Sequence, residues 1–156
     1  MFLLFAITVL FSSISYGGET HNPLRVNLDT IKQIESSGNP DAISFRGAKY
    51  GRGLYQISEV CLADYNQFAG HVFTFYPKDL FNPKINEMIA KWYLTKRIPA
   101  MLRHYNKEVT VENVLWAYSA GIGRVVEGVM SSETKEYIFL YKNLDKVSKG
   151  STIAER

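Results

Sequence analysis

The carboxyl group best placed to do chemistry belongs to Glu35. It ends a segment, residues 27–35, in which Leu28, Ile31 and Ile34 recur at helical spacing before a polar run with glycine and proline, residues 36–40. The negative end of the helix dipole and partial burial both disfavour a charged carboxylate. We therefore expect a raised pKa at Glu35, which suits a general acid. Taken alone, however, such a residue is more often an ordinary exposed glutamate.

Ser119 lies in a string, residues 117–121, that differs by one residue from the G-x-S-x-G elbow of α/β-hydrolases. That elbow requires a strand before the serine and, in the usual order, a histidine after it. The last histidine of the chain is His104, and the segment from Thr110 has helical spacing. The sequence therefore argues against an esterase.

Metal and disulfide chemistry are also disfavoured by the residue types present. Cys61 is the one cysteine, so it has no intramolecular partner and makes no multi-thiolate site. His21, His71 and His104 lack the spacing of metal ligands. We expect neither a metal nor a cofactor.

Length and composition point to one folded domain. The chain has 156 residues, with 46% hydrophobic and 21% charged residues, as in ordinary globular proteins. A net charge of +3 is too small to indicate nucleic-acid binding and only weakly favours an anionic partner. Ten Tyr, nine Phe and two Trp either fill a helical core or offer flat faces to sugars.

The first residues resemble an export signal. Residues 2–11 form an apolar block of the length of a signal-peptide core, short of the ~20 residues needed to span a bilayer. Small residues at Ser13, Ser15 and Gly17 offer cleavage sites, although no Lys or Arg precedes the block. We interpret residues 1–17 as a cleavable signal peptide, with an uncleaved anchor as the alternative. The remaining domain, residues 18–156, would act in the periplasm or cell envelope.

The elements that would position these residues are mostly helices. Ser58 is a plausible cap for a helix through Phe68, Asn82-Pro83 starts another that must bend or break before Pro99, and Thr110 caps a third. A last helix is predicted from Glu133 to about Val147, followed by a frayed polar tail from Ser148. Residues 40–57, rich in glycine, read as loop or a small hairpin. The predicted fold is mainly α.

An ordered series of strings resembles one enzyme family over about residues 27–145. The strings are Glu35-Ser36, Gly53-Leu54-Tyr55-Gln56-Ile57, Asn82-Pro83-Lys84-Ile85-Asn86, Ala117-Tyr118-Ser119-Ala120-Gly121 and Glu133-Thr134-Lys135-Glu136-Tyr137. They resemble the soluble-type (SLT) lytic transglycosylases, relatives of goose-type lysozyme, whose pattern is E-S, G-L-M-Q-I, A-Y-N-A-G and E-T-x-x-Y. Each string alone is weak, but their order is specific. The resemblance implies a lysozyme-like α+β fold.

The resemblance also implies a reaction and roles. Glu35 would be the single catalytic carboxylate that cleaves the β-1,4 bond between N-acetylmuramic acid and N-acetylglucosamine in peptidoglycan, leaving 1,6-anhydro ends. Ser36 would lie near the muramoyl C6 hydroxyl, and Tyr137 would hydrogen-bond Glu35. The residues that would bind substrate are Tyr55 and Gln56, lining the sugar cleft, and Tyr118 and Ser119.

Two positions depart from the family pattern. Tyr55 stands where the family usually has Met, and Ser119 where it usually has Asn. We expect Tyr55 to keep the apolar bulk and to stack on a sugar. Ser119 is shorter than Asn and lacks the amide donor, so its substrate contact is the least secure of the transferred roles.

A second carboxylate decides between mechanisms. Hydrolytic glycosidases use two, about 5–5.5 Å or about 6.5–9.5 Å apart. Asp41 is one candidate, but it is also consistent with a turn residue or a surface residue. With one acid, the substrate's 2-acetamido group can stabilise charge at C1 and its own hydroxyl can attack, without a metal or cofactor.

The predicted function is therefore a peptidoglycan lytic transglycosylase. The alternatives are a hydrolytic lysozyme-like muramidase and a weakly active or non-catalytic wall-binding assembly protein. We expect glycan strands as the partner of a monomer, with a secretion or conjugation complex as a further possible partner and no nucleic acid. Bacterial and phage origin are both compatible with the sequence.

Overall fold

The computed structural model describes residues 24–46 and 49–154. The predicted signal peptide, residues 1–17, lies outside these described residues. The regular structure of the described residues consists of seven α-helices, one hairpin, a short 3-10 helix (Pro77–Phe81) and a π-helical turn (Tyr93–Arg97). The α-helices and strands are α1 (Leu28–Ser36), β1 (Ile43–Arg46), β2 (Lys49–Arg52), α2 (Glu59–Phe68), α3 (Pro83–Trp92), α4 (Ile98–His104), α5 (Val111–Ala120), α6 (Ile122–Glu127) and α7 (Ser132–Ala154). The prediction of a mainly α fold with a small hairpin is confirmed.

Three predicted helix starts are confirmed by their side-chain caps. Ser58 accepts a hydrogen bond from the backbone N–H of Cys61 at the start of α2. Asn82 accepts from the first turn of α3, where Pro83 occupies a first-turn position that needs no N–H partner. Thr110 accepts from the N–H of Asn113 at the start of α5. Local sequence therefore sets these three boundaries.

The bend or break predicted before Pro99 takes the form of a change of helix type. After α3 the chain continues as one wider π-helical turn, Tyr93–Arg97, and α4 then begins with Pro99 in its first turn. A proline inside a regular helix would remove a hydrogen bond and clash with the preceding turn. Here the helical backbone continues through the π-helical turn into α4 without a loop, and Leu94 and Ile98 are fully buried.

The glycine-rich segment forms the small hairpin. Strands β1 and β2 pair antiparallel, with Ser44 opposite Gly51 and Phe45 opposite Tyr50. Because side chains alternate between the two faces of a strand, Ser44 and Gly51 share one face. Phe45 and Tyr50 share the other, where their rings meet edge to face at 4.7 Å.

The last helix is longer than predicted. We expected it to end near Val147 with a frayed tail from Ser148, but α7 continues to Ala154, so the prediction of fraying there is wrong. Its second half is held to the start of α1: Tyr141 accepts a hydrogen bond from the backbone N–H of Asn27 (2.7 Å), and Asp145 accepts from the Asn27 amide (2.9 Å). This long-range contact supplies the support that the polar sequence alone did not indicate.

The core contains one fully buried polar side chain among its apolar residues, Asn86 on α3. Its Oδ1 accepts from the backbone N–H of Tyr55 (2.9 Å), and its Nδ2 donates to the carbonyls of Arg52 (2.8 Å) and Leu80 (2.7 Å). Buried polar groups are costly unless they are hydrogen-bonded, and here the amide holds the loop that follows β2. Gly53 makes room for it, since a Cβ at that position would collide with Leu80 and Asn86.

Candidate active site

Glu35 lies at the C-terminal end of α1, as the sequence predicts, and faces a cleft of about 160 Å³. The helix ends immediately after it because Ser37 adopts the left-handed conformation (φ 51°) and its N–H returns to the carbonyl of Gln33. The rest of the lining comes from the hairpin and the loop after it, from the start of α2, from the π-helical turn and from the end of α5. These are Ser44, Gly51, Gln56, Ile57, Ser58, Val60, Cys61, Tyr93, Ala117, Tyr118, Ser119 and Gly121.

The loop after β2 is bound to the helix that carries Glu35. The hydroxyl of Ser36 donates to the carbonyl of Leu54 at 2.8 Å, which links the end of α1 to this loop. The hydroxyl of Tyr118 donates to the next carbonyl, that of Tyr55, at 2.6 Å and links α5 to the same loop. Asn86 on α3 accepts from the N–H of Tyr55, so side chains from three helices, α1, α3 and α5, hold this loop.

Gln56 lines the cleft in a constrained conformation. Its backbone is left-handed (φ 49°), and its side-chain amide donates to the carbonyls of Gly53 (2.9 Å) and Ala42 (3.1 Å). Non-glycine residues rarely adopt this conformation, and here the two side-chain hydrogen bonds hold it. Gly51 lies against Gln56, where a Cβ would approach its Oε1 to 2.8 Å. Gln56 therefore shapes the wall of the cleft with its amide hydrogens already committed to backbone.

Tyr118 is electrostatically coupled to Glu35. Burial, followed by the negative charge of Glu35, raises the pKa of Tyr118 well above its usual value, and Tyr137, Cys61 and Tyr55 contribute in the same direction. Tyr118 consequently stays protonated and keeps donating to the Tyr55 carbonyl.

Tyr55 is not where its predicted role requires it. Its side chain is fully buried, and it is absent from the residues that line the cleft. The expectation that its ring lines the cleft and stacks on a sugar is therefore corrected: the ring fills the core, and only its backbone takes part in holding the site. Burial also raises the pKa of the Tyr55 hydroxyl, which has no hydrogen-bond partner among the described residues.

Ser36, Ser119 and Tyr137 complete the predicted set. Ser36 is absent from the cleft lining, and its hydroxyl is bonded to backbone. Ser119 lines the cleft and also a second concavity between α1, α5 and α7, which Tyr137 lines too. Tyr137 itself is buried but close enough to raise the pKa of Tyr118. The predicted hydrogen bond from Tyr137 to Glu35 stays a prediction.

Sequence reasoning missed several lining residues. Tyr93, half-buried in the π-helical turn, lines the cleft with its ring 6.3 Å from that of Tyr118. Burial raises its pKa as well. Ser44 reaches the cleft because it shares a strand face with Gly51. The hairpin register would have indicated Ser44, whereas no local signal separated Tyr93 from its neighbour Trp92.

Glu35 is the one carboxylate among the lining residues that the structure describes. Asp41 is exposed and absent from the lining, which favours its interpretation as a surface or turn residue. Within residues 24–46 and 49–154, no group of three or more His, Cys, Asp or Glu is arranged to hold a metal ion. No helix of that same part is long and apolar enough to cross a membrane. The cleft thus offers one acid surrounded by hydroxyls and an amide.

Comparison with protein-family models identifies the family of this chain. The family model of the transglycosylase SLT domain matches residues 16–139, which include α1 with Glu35, the hairpin, α5 with Tyr118 and the start of α7. Neither the curated proteins nor the solved structures with which the chain was compared contain a significant match. Since the family model spans most of the sequence, the chain belongs to the transglycosylase SLT domain family, whose members act on peptidoglycan.

Proposed function

We propose that this protein is a lytic transglycosylase that cleaves the β-1,4 bond between N-acetylmuramic acid and N-acetylglucosamine, with Glu35 as its single acid and base. The main support for the proposal is that, among the described residues that line the cleft, Glu35 is the one carboxylate. Hydrolysis by the usual routes uses two carboxylates. A single carboxylate suits a reaction in which the substrate supplies its own nucleophile.

The reaction regenerates the acid form of Glu35 with a proton from the substrate. The Glu35 carboxyl group first donates its proton to the glycosidic oxygen, and the bond from C1 to that oxygen breaks. The 2-acetamido group of the muramoyl sugar stabilises the positive charge left at C1. The Glu35 carboxylate then accepts the proton of the C6 hydroxyl as that oxygen bonds to C1, which closes the 1,6-anhydro ring and restores the acid. No water is consumed.

The surroundings of Glu35 support this double role. Tyr118, held neutral by burial, lines the cleft together with Glu35 and adds no charge to it. The loop wall formed by Gln56 is fixed by hydrogen bonds to Gly53 and Ala42, so it can position a sugar without rearranging. Ser119 is placed to contact substrate because it lines the cleft near the end of α5.

We propose further that the substrate is reached outside the cytoplasmic membrane. The support is the apolar block of residues 2–11, which has the length of a signal-peptide core, together with membership of a family that acts on peptidoglycan. A monomer acting on glycan strands, alone or within a secretion or conjugation complex, is consistent with the single domain.

Isotope labelling tests the reaction. Purified sacculi are digested in water enriched in ¹⁸O, and the released muropeptides are analysed by mass spectrometry. A transglycosylase gives products lighter by one water than reducing-end products and free of ¹⁸O at C1. Reducing ends that carry ¹⁸O would instead show a hydrolytic muramidase, and undigested sacculi would show a wall-binding protein without activity.

A further inference from the structure

A third concave surface is centred on α3 and shares no residue with the lining of the cleft. It is a groove of about 650 Å³, lined by Tyr65, Pro83, Lys84, Glu87, Met88, Lys91, Trp92, Thr95 and Lys96. Its apolar side is formed by Met88 and by the half-buried Trp92, whose ring meets that of Tyr65 edge to face at 5.2 Å. Grooves of this kind, with aromatic walls and a charged rim, are typical of interaction surfaces.

Three exposed lysines border the groove. Lys84, Lys91 and Lys96 are exposed, and none of them makes an ion pair in the part of the chain that the structure describes. Some lysines elsewhere form ion pairs, such as Lys32 with Asp29 and Lys142 with Glu112, whereas Lys107, Lys135 and Lys146 form none among the described residues. With Glu87 as the one acid of the lining, the groove carries an excess of two positive charges.

The groove and the catalytic cleft are lined by different residues of the same helices. On α2, Cys61 lines the cleft whereas Tyr65, one turn later, lines the groove. At the end of α3, Tyr93 lines the cleft and its neighbour Trp92 lines the groove. The two surfaces share no residue.

We propose that this groove binds an acidic segment of a partner protein that carries a large apolar side chain. The apolar side chain packs against Trp92 and Met88, and carboxylates on either side of it meet Lys84, Lys91 and Lys96. Charge complementarity of this kind sets orientation and the rate of association, and a buried apolar anchor contributes most of the affinity.

Two other anionic occupants fit less well. The peptides of peptidoglycan carry carboxylates, but they are built from alanine, glutamate and a diamino acid and have no large apolar side chain for the aromatic wall. A bilayer surface could reach the exposed lysines, but it is broad and flat, whereas Tyr65 at the base of the groove is buried. Both occupants become outcomes of the test.

The test uses a defined probe, a fluorescein-labelled nonapeptide with a central phenylalanine flanked by glutamates, titrated with the purified protein and followed by anisotropy. We expect the Lys84→Gln/Lys91→Gln/Lys96→Gln variant to bind about tenfold more weakly, since it loses three charge contacts. A matched variant, Lys107→Gln/Lys135→Gln/Lys146→Gln, has the same net charge and should stay within about twofold of the original. Binding should also weaken with salt, and the indole N–H signal of Trp92 should shift in ¹⁵N NMR spectra.

Several results would overturn the proposal. It fails if the protein does not bind the peptide, if both triple variants lose affinity equally, or if a peptide with glycine in place of phenylalanine binds as well. Binding of phosphatidylglycerol vesicles in preference to the peptide would assign the groove to a membrane. Loss of sacculus digestion by the groove variant would assign it to the wall substrate. Because the peptide assay needs no catalysis, its result is independent of the proposed reaction.

Discussion

The hydroxyl of Tyr118 donates a hydrogen bond of 2.6 Å to the backbone carbonyl of Tyr55, so one tyrosine holds the backbone of the other. The two residues come from α5 and from the loop after the hairpin, and they lie 63 positions apart in sequence. This bond fixes the loop beside the end of α1, which is the helix that carries Glu35. Because the Tyr118 hydroxyl already has a partner in the protein, Tyr118 contributes to the site by holding this loop.

Replacing Tyr118 with phenylalanine should destabilise the protein. The substitution removes the donor and leaves the Tyr55 carbonyl without it, which costs about 1–3 kcal/mol in a buried setting. The free energy of unfolding from urea denaturation measures the change. Tyr55→Phe is the matched control, because it removes a buried hydroxyl that has no partner among the described residues. We expect that control to be neutral or stabilising, and a larger loss in Tyr55→Phe than in Tyr118→Phe would refute this view of the loop.

Asn86→Ala should be among the most damaging single substitutions. It leaves the Tyr55 N–H and the carbonyls of Arg52 and Leu80 without their partner, a cost of at least about 3 kcal/mol if the groups stay buried. Asn82→Ala, on the same helix, removes an exposed cap and should cost about 1 kcal/mol. Chemical denaturation of both variants gives the comparison. Equal losses would mean that Asn86 does not support the loop.

Cys61 should react slowly in the folded protein although it lines the cleft. Burial raises the pKa of its thiol, so little thiolate, the reactive form, exists at pH 8. Because the chain has one cysteine, labelling with Ellman's reagent reports on this site alone. We expect the native protein to react at least about tenfold more slowly than the urea-unfolded chain. Equal rates in the two states would show that the thiol is accessible and ionised.

Ser119→Asn should raise activity modestly. The serine lines the cleft, and its hydroxyl lies 3.3 Å from the carbonyl of Trp116, so it offers substrate less than the amide that the family pattern has at this position. One added hydrogen bond in the transition state is worth roughly 0.5–1.5 kcal/mol. The rate of release of soluble muropeptides measures the gain, and Ser119→Ala serves as the control. A lower rate for Ser119→Asn than for Ser119→Ala would show that the cleft has no room for the amide.

Local signals were enough to predict much of the fold. Ser58, Asn82 and Thr110 could be identified as caps because their side chains satisfy N–H groups only a few residues away. Pro99 indicated a break for a similarly local reason. The short helix α6 and the extension of α7 to Ala154 were not predicted. The extension of α7 depends on contacts between its residues and Asn27, which is distant in sequence.

The site was predictable in its centre but not in its surroundings. Glu35 could be placed at a helix end from spacing alone, and Gln56 and Tyr118 do line the cleft. The direction of the Tyr55 ring could not be predicted, because it depends on Gly53, on the buried Asn86 and on a bond from Tyr118, all of which act through the fold. For the same reason, the sequence did not indicate that Tyr93 lines the cleft, because its orientation depends on the π-helical turn.

The most direct test of the account is the product spectrum of Glu35→Gln on purified sacculi, compared with Asp41→Asn as a matched loss of one carboxylate. The account predicts that the unchanged protein and Asp41→Asn release 1,6-anhydro muropeptides, whereas folded Glu35→Gln loses at least about 10²-fold in rate, as expected for removal of a general acid and base. Mass spectrometry identifies the products, and circular dichroism checks the fold. Near-normal release of anhydro products by folded Glu35→Gln would contradict the central claim.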